Sequence, residues 1–401
     1  MPPRRLRPID SRVSLIVDGA ELEAQRGEPI AISLWAAGRL VLGRSVKYHR
    51  PRGATCLSGG CDGCVMRVGG APSVRTCRTP ARHGTTVDTQ NVIGTAELDL
   101  LAATDFVFPE GMNHHEMFTW SRPINRAMQE IARHVAGVGT LPDEPRAPAP
   151  VERLAVDVCV VGAGPAGRAC AEALVRAGVS VVAVDEEDAV GTASFPLRAR
   201  TSAIGVFDET NGARWVLASG DASVIVIVPK VLVLATGRAE GSEAFAGNDL
   251  PGVIALEAAE RLFAAGVLPG ERPVIAGASE RATALVQRFA QAGVSARLVP
   301  RESVIRARGR SSIRLVDLRE GGATPCDVLV VEGRRSARYE LASQAGAEVR
   351  FDGEVFDVVT TGEAGETRHP RVFVAGSAAR AVGSAAHGAR VAARVQEVLG
   401  G

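Results

Sequence analysis

The chain has 401 residues, with 46 Lys plus Arg against 45 Asp plus Glu and a formal net charge of +1. That balance supplies no field for gripping nucleic acid or an anionic membrane surface, and no run of about eighteen apolar residues offers a helical membrane span. The length predicts two or three domains. The N-terminal MPPRRLRPIDSRVSL has arginines but no apolar stretch, so no secretory signal is expected, and a set of reduced thiols points to the cytoplasm.

Residues 12–18 and 20–24 alternate in polarity around Asp18-Gly19, a hairpin signal. Residues 27–38 read as a short helix with Ile30, Ile32, Leu34 and Trp35 on one face. The run CLSGGCDGCVMRVGGAPSVRTC follows, and it holds Cys56, Cys61, Cys64 and Cys77 in the spacing C-x4-C-x2-C-x12-C. The first two spacings match the plant-type pattern for a two-iron, two-sulfur (2Fe–2S) cluster. Gly59, Gly60 and Gly63 suit a loop that must turn its N–H groups toward sulfur. Zinc remains an alternative, although a four-cysteine zinc site usually has two C-x2-C pairs and this run has one. A thioredoxin-like dithiol would need a helix after Cys64, where V-M-R-V-G-G reads as strand and turn. With strands at 65–68, near 73–77 and at 84–88, residues 1–92 read as a β-grasp, ferredoxin-like domain.

Residues 93–150 form a connector with a helix near 123–135 and the proline-rich close AGVGTLPDEPRAPAP. His114 and His115 are adjacent, so on an extended segment they point opposite ways, and a surface role is preferred to a shared metal.

Residues 151–401 change texture to apolar strands alternating with helices, which predicts a parallel α/β sheet. The strand VDVCVVG runs into Gly162-Ala163-Gly164-Pro165-Ala166-Gly167, then a helix, then a strand ending in Asp185 and Glu186. This is a G-x-G-x-x-G fingerprint in full context. Gly162 makes the tight turn, Gly164 admits a pyrophosphate, Gly167 allows close helix–strand packing, and Asp185 is placed for a ribose hydroxyl. The strand VLVLATG ends in Ala235-Thr236-Gly237, and the last strand ends in Gly376-Ser377. A second, degenerate unit lies near 252–325. There Gly277, Ser279 and Ala282 stand at the glycine positions and Pro300-Arg301 where an acid is expected, so nucleotide binding by this unit stays open. Arg297 and Arg301 could meet a 2′-phosphate or simply be solvated. His387 on the final helix reads as an ordinary hydrogen-bonding residue, and Cys159, Cys170 and Cys326 as core residues.

Taken together, KYHRPRG, the four-cysteine loop, MFTW, AGVGTLP, VVGAGPAG, VDEE, VLATG and FVAGSAA give a clear resemblance. The chain resembles the α-subunit family of heterotetrameric sarcosine oxidase, with relatives in hydrogen cyanide synthase, opine oxidase and proline or hydroxyproline dehydrogenase complexes. The resemblance implies an N-terminal 2Fe–2S domain followed by a disulfide-reductase-like pair of Rossmann-type units. It implies FAD in the first unit, and an oxidoreductase complex in which a flavin-containing β-type partner, with further small subunits, oxidises an amine or imino acid. This chain would then relay electrons, and no catalytic residue is assigned to it. Three departures from the family bear on the flavin. Only 50 positions separate Asp185 from Ala235, Gly376-Ser377 replaces the usual Gly-Asp, and Asp185 replaces a glutamate. NAD or ATP is therefore kept as an alternative occupant, and a non-redox scaffold subunit as the alternative function. A self-sufficient NAD(P)H-dependent reductase would need a working second unit.

Overall fold

The structure is a computed structural model that describes residues 4–45, 49–92, 95, 119–135, 147–188, 192–209, 213–220 and 223–400. Its contacts group the chain into two compact units. One comprises Met1–Pro145 with Ser242–Gly333, the other Arg146–Gly241 with Arg334–Gly401.

In the first unit, Arg12–Val17 and Ala20–Gln25 pair antiparallel around Asp18 and Gly19, both at positive φ. A five-stranded sheet then runs Ala20–Gln25, Arg12–Val17, Thr85–Asp88, Val65–Val68, Ala71–Arg75. The helix is Ile30–Ala36, shorter than the 27–38 expected, because Gly27 is at positive φ, Pro29 sets its N-terminus and Gly38 at positive φ ends it. The strand expected near 73–77 is Ala71–Arg75, since the Gly69-Gly70 turn closes the hairpin at once. His114 and His115 lie outside the described residues. A helix spans Arg122–Val135.

Residues 242–333 of the same unit build a four-stranded parallel sheet in the order Val253–Ala255, Val328–Val331, Pro273–Ala276, Arg297–Val299, joined by an antiparallel three-stranded sheet over 304–325. One apolar core is continuous from the ferredoxin-like part (Leu15, Ile30, Trp35) to this part (Ile254, Leu262, Phe289). Trp35, 1 % exposed, donates its indole N–H to the carbonyl of Pro269 at 3.1 Å. Arg4–Arg5 pairs antiparallel with Val267–Leu268, and Ala255 N–H donates to Thr55 O.

The second unit holds a seven-stranded sheet ordered Leu197–Arg198, Val181–Val184, Val151–Val161, Val224–Leu234, Arg214–Ser219, Ser202–Asp208, with Val372–Val374 also on Val224–Leu234. Val151–Val161 begins five residues before the expected Val156, because Val151–Val156 pair with Val224–Pro229. The short stretch between Asp185 and Ala235 is an antiparallel hairpin that continues into the central strand Val224–Leu234. Helices Pro165–Arg176 and Ser384–Gly400 cover one face. Cys159, Cys170 and Cys326 are buried, and burial pushes their thiols up to about 12. Among the described residues no helix is long and apolar enough to cross a membrane.

Candidate functional site

The cysteine loop leaves the ferredoxin-like sheet through Leu57 and Gly59, both at positive φ. A Cβ on Gly63 would collide with the carbonyl of Gly53, so the glycine of KYHRPRG and the glycine between the second and third cysteines lie back to back. A Cβ on Gly59 would press on Arg78, with Nε at 3.2 Å, so this guanidinium is held against the loop.

The four thiols fall into two pairs, Cys56 beside Cys61 and Cys64 beside Cys77, and within each pair one group shifts the ionisation of the other. Within the first pair, the Cys61 thiol and the N–H groups of Ser58 and Gly60 hold Cys56 down to about 5, against burial, while Cys61 is pushed up. Within the second, Cys77 holds Cys64 down to about 7 and is itself pushed up. Four cysteines held close together are the donor set that a 2Fe–2S cluster would need, two thiolates to each iron. The N–H groups of Ser58 and Gly60 directed at Cys56 favour its anionic, thiolate form. A cleft of about 840 Å³ opens beside Cys61, Asp62 and Gly63, and the Arg75–Asp62 ion pair (3.0 Å) spans part of its wall.

In the second unit the first fingerprint residues come together past the carboxyl ends of Val151–Val161 and Val224–Leu234. A Cβ on Gly162 would strike Ala235 O, and one on Gly167 would collide with Gly162 O. Gly164, which opens the helix with Pro165 at its first position, has nothing within 4 Å of its Cβ direction. The residues that must pack closely and the one that must leave room for phosphate are thus all glycine. Asp185 accepts from Ala163 N–H at 2.5 Å and Glu187 N–H at 2.8 Å, so its carboxylate is tied to the glycine loop. Glu186 instead pairs with Arg338 at 2.7 Å, a partner the sequence did not announce. Arg338 O accepts from Thr236 Oγ1 at 2.9 Å, and its N–H donates to Gly237 O. Ser377 Oγ lies 3.8 Å from the Cβ direction of Gly237. Gly376, at positive φ, donates its N–H to His387 Nδ1 at 3.0 Å. A Cβ on Gly376 would crowd the Ala166 methyl at 2.6 Å, and one on Gly388 would collide with Ala166 O. The final helix is thereby seated on the start of the fingerprint helix. These residues would hold a dinucleotide with its pyrophosphate at Gly164 and Pro165 and its ribose toward Asp185.

The degenerate unit differs at the corresponding place. Glu332 closes the buried strand Val328–Val331, and its carboxylate accepts from Ala278 N–H (3.0 Å), Ser279 N–H (3.1 Å) and the Ser279 hydroxyl. Burial raises its pKa, but these three donors and nearby Arg281 hold it below the usual carboxylate range. A side-chain anion thus holds both amides ahead of the helix Glu280–Gln291, where Asp185 of the first unit holds only that of Ala163. The sequence signal was present in VLVVEG, where an acid ends a fully apolar strand. Arg301 pairs with Glu243 at 3.4 Å, and Arg297 donates to Thr324 at 2.9 Å, so neither stands ready for a 2′-phosphate.

Residues 10–92 match the family described as 2Fe-2S iron-sulfur cluster binding domain, and residues 160–226 match NAD(P)-binding Rossmann-like domain. The second match falls on the open fingerprint and not on the unit containing Glu332. The chain is 27% identical over its full length to sarcosine oxidase subunit alpha of Rhizobium meliloti, covering 47% of that protein. It is 26% identical to sarcosine oxidase subunit alpha of Corynebacterium sp. strain P-1, over 85% of this chain and 35% of that protein. The chain thus spans about half the length, or less, of these relatives. Among solved structures, L-proline dehydrogenase from P. horikoshii superposes with a TM-score of 0.75 and 22% identity, over 100% of this chain and 76% of that one.

Proposed function

We propose that this chain, a member of the sarcosine oxidase α-subunit family, is the electron-relaying subunit of a multi-subunit, flavin-dependent oxidoreductase acting on an amine or imino acid. The observation that carries this reading is the C-x4-C-x2-C-x12-C set beside a five-stranded ferredoxin-like sheet, within residues 10–92 that match the 2Fe-2S domain family. A 2Fe–2S cluster supplies one-electron uptake and release, and it cannot accept a hydride, so a flavin must stand upstream. In this reading that flavin belongs to a β-type partner subunit, and further small subunits complete the assembly.

This chain's residues do the rest. Cys56 with Cys61 and Cys64 with Cys77 would hold the irons, while the Ser58 and Gly60 N–H groups offset negative charge at Cys56. Thr76 fixes the second pair by donating its hydroxyl to Cys64 O at 2.6 Å. Gly162, Gly164, Pro165, Ala166, Gly167, Asp185, Ala235, Thr236, Gly237, Gly376 and Ser377 would hold FAD in the open cradle, with the Glu186–Arg338 pair bracing its edge. The serine at 377 offers the ribityl chain a neutral hydrogen bond in place of a carboxylate.

Glu332 supports a narrower part of the scaffold alternative. The degenerate unit is structural, sharing the core of the ferredoxin-like part, and it does not feed electrons from NAD(P)H.

The test is to purify the chain with its partner subunits and measure iron, acid-labile sulfide and released nucleotide. Two irons per chain and a rhombic paramagnetic signal on reduction are expected, with FAD released on denaturation. Cys64→Ser should abolish the signal and the electron transfer while leaving nucleotide content unchanged. Stoichiometric zinc without iron, or unimpaired electron transfer to the physiological acceptor in Cys64→Ser, would overturn the proposal.

A further inference from the structure

Between the first two cysteines the chain reads Leu57-Ser58-Gly59-Gly60. Leu57 and the two glycines carry no polar side-chain atom, so the Ser58 hydroxyl is the single side-chain donor that this stretch can offer. Leu57 and Gly59 are both at positive φ, at 50° and 80°, which folds the loop around the residue between them. Ser58 is only 3 % exposed, while Cys56 beside it is half-buried. A serine on a short loop ordinarily keeps its hydroxyl in water. Here it is turned inward, where a hydroxyl without a partner is costly.

The Ser58 hydroxyl is not among the buried side-chain atoms left without a partner. The Ser58 N–H donates to Cys56 Sγ at 3.4 Å. The Cys56 thiol is held down first by Cys61 and then, against burial, by the N–H and the side chain of Ser58 and the N–H of Gly60. Backbone and side chain of one residue thus converge on one sulfur. The hydroxyl of Thr76, by contrast, is given to the carbonyl of Cys64 at 2.6 Å. Reduction of a 2Fe–2S cluster adds one negative charge, which spreads onto the cysteine sulfurs. A donor aimed at such a sulfur stabilises the reduced form more than the oxidised one and raises the potential. Away from water the effect is stronger.

We propose that Ser58 sets the potential of the relay: its hydroxyl donates to the sulfur of Cys56 and makes a cluster bound there easier to reduce. The upstream flavin loses one electron, the cluster gains it, and Ser58 keeps its proton throughout. This inference rests on the electron-relay reading and adds to it a residue that acts through a ligand sulfur.

The experiment is a redox titration of the chain purified with its partner subunits, following the paramagnetic signal of the reduced cluster. Ser58→Ala should shift the ratio of reduced to oxidised cluster about tenfold toward the oxidised form at a fixed potential, a fall of about 59 mV in midpoint for one electron. Ser58→Thr keeps a hydroxyl and should stay within about twofold of the wild-type ratio. Iron and sulfide content verify assembly in each variant, and Ser58→Gly removes the same hydroxyl if Ser58→Ala does not assemble. A role confined to shaping the loop would change iron content or stability and leave the potential where it is. A wild-type potential in iron-replete Ser58→Ala or Ser58→Gly would overturn the proposal and leave the relay reading intact. Loss of iron from both would make Ser58 an assembly residue and overturn it as well. Wild-type protein that binds no cluster would overturn the proposal and the relay reading together.

Discussion

The two strand–turn–helix units of this chain share a design and differ at one point. In the first, Asp185 accepts the N–H of Ala163 and the space beyond Gly164 stays open. In the second, the carboxylate of Glu332 accepts the N–H groups of both Ala278 and Ser279, with Ser279 as N-cap of the helix Glu280–Gln291. A helix N-terminus attracts an anion in either case. The units differ in how far an internal carboxylate covers the loop: one amide ahead of the helix in the first unit, two in the second.

The largest effect that would break this comparison is at Gly167. Gly167→Val places branched carbon against Gly162 O and should abolish nucleotide content in the first unit, measured by chromatography after denaturation. The iron signal should survive, because the cysteines belong to the other compact unit.

Glu332→Ser tests the other side. Removing the intrinsic anion should raise NADH affinity in the second unit by about tenfold or more in equilibrium dialysis, with the wild type showing no saturation there. Unchanged NADH binding would mean that the degenerate glycine positions, and not the carboxylate, close the site.

Gly388→Ala pushes a methyl into Ala166 O and should cost about 1–3 kcal/mol in denaturant unfolding, with weaker nucleotide retention. His387 adds a pH effect to the same joint. Burial lowers its folded pKa, the Arg390 charge assists, and only the neutral ring can accept the Gly376 N–H. Its contribution should be fully present above the unfolded value of about 6.5 and be lost as pH falls toward the lower folded value. His387→Gln should flatten that slope in a stability–pH profile. The smallest effect is expected at Arg281→Ser. This change removes a part-exposed pair with Glu260 and one positive charge near Glu332, and should cost under about 1 kcal/mol.

Much of the architecture was legible because short-range rules carry it. Asp18-Gly19 and Gly69-Gly70 marked hairpins whose turns need positive φ, and both are found at positive φ. The fingerprint at Gly162, Gly164 and Gly167 was readable because each glycine answers a separate steric demand within six residues. The first strand of the α/β part, read from VDVCVVG, starts five residues earlier than expected, since Val151–Ala155 become strand only by pairing with Val224–Val228, some seventy positions away. No local rule could announce that.

The sequence by itself determined the cysteine spacing, the glycine fingerprint and its acid, and the alternation of strands and helices, because these depend on φ preference, side-chain period and chemistry at fixed offsets. Tertiary structure alone decided how distant groups meet. It buried Cys64 and Cys77 in one core and joined the degenerate unit to the ferredoxin-like core through Trp35 and Pro269. It also set Glu332 on amides more than fifty residues upstream. Each of these is an encounter between segments far apart in the chain. Its energy comes from burial and geometry that exist only once the whole unit has closed.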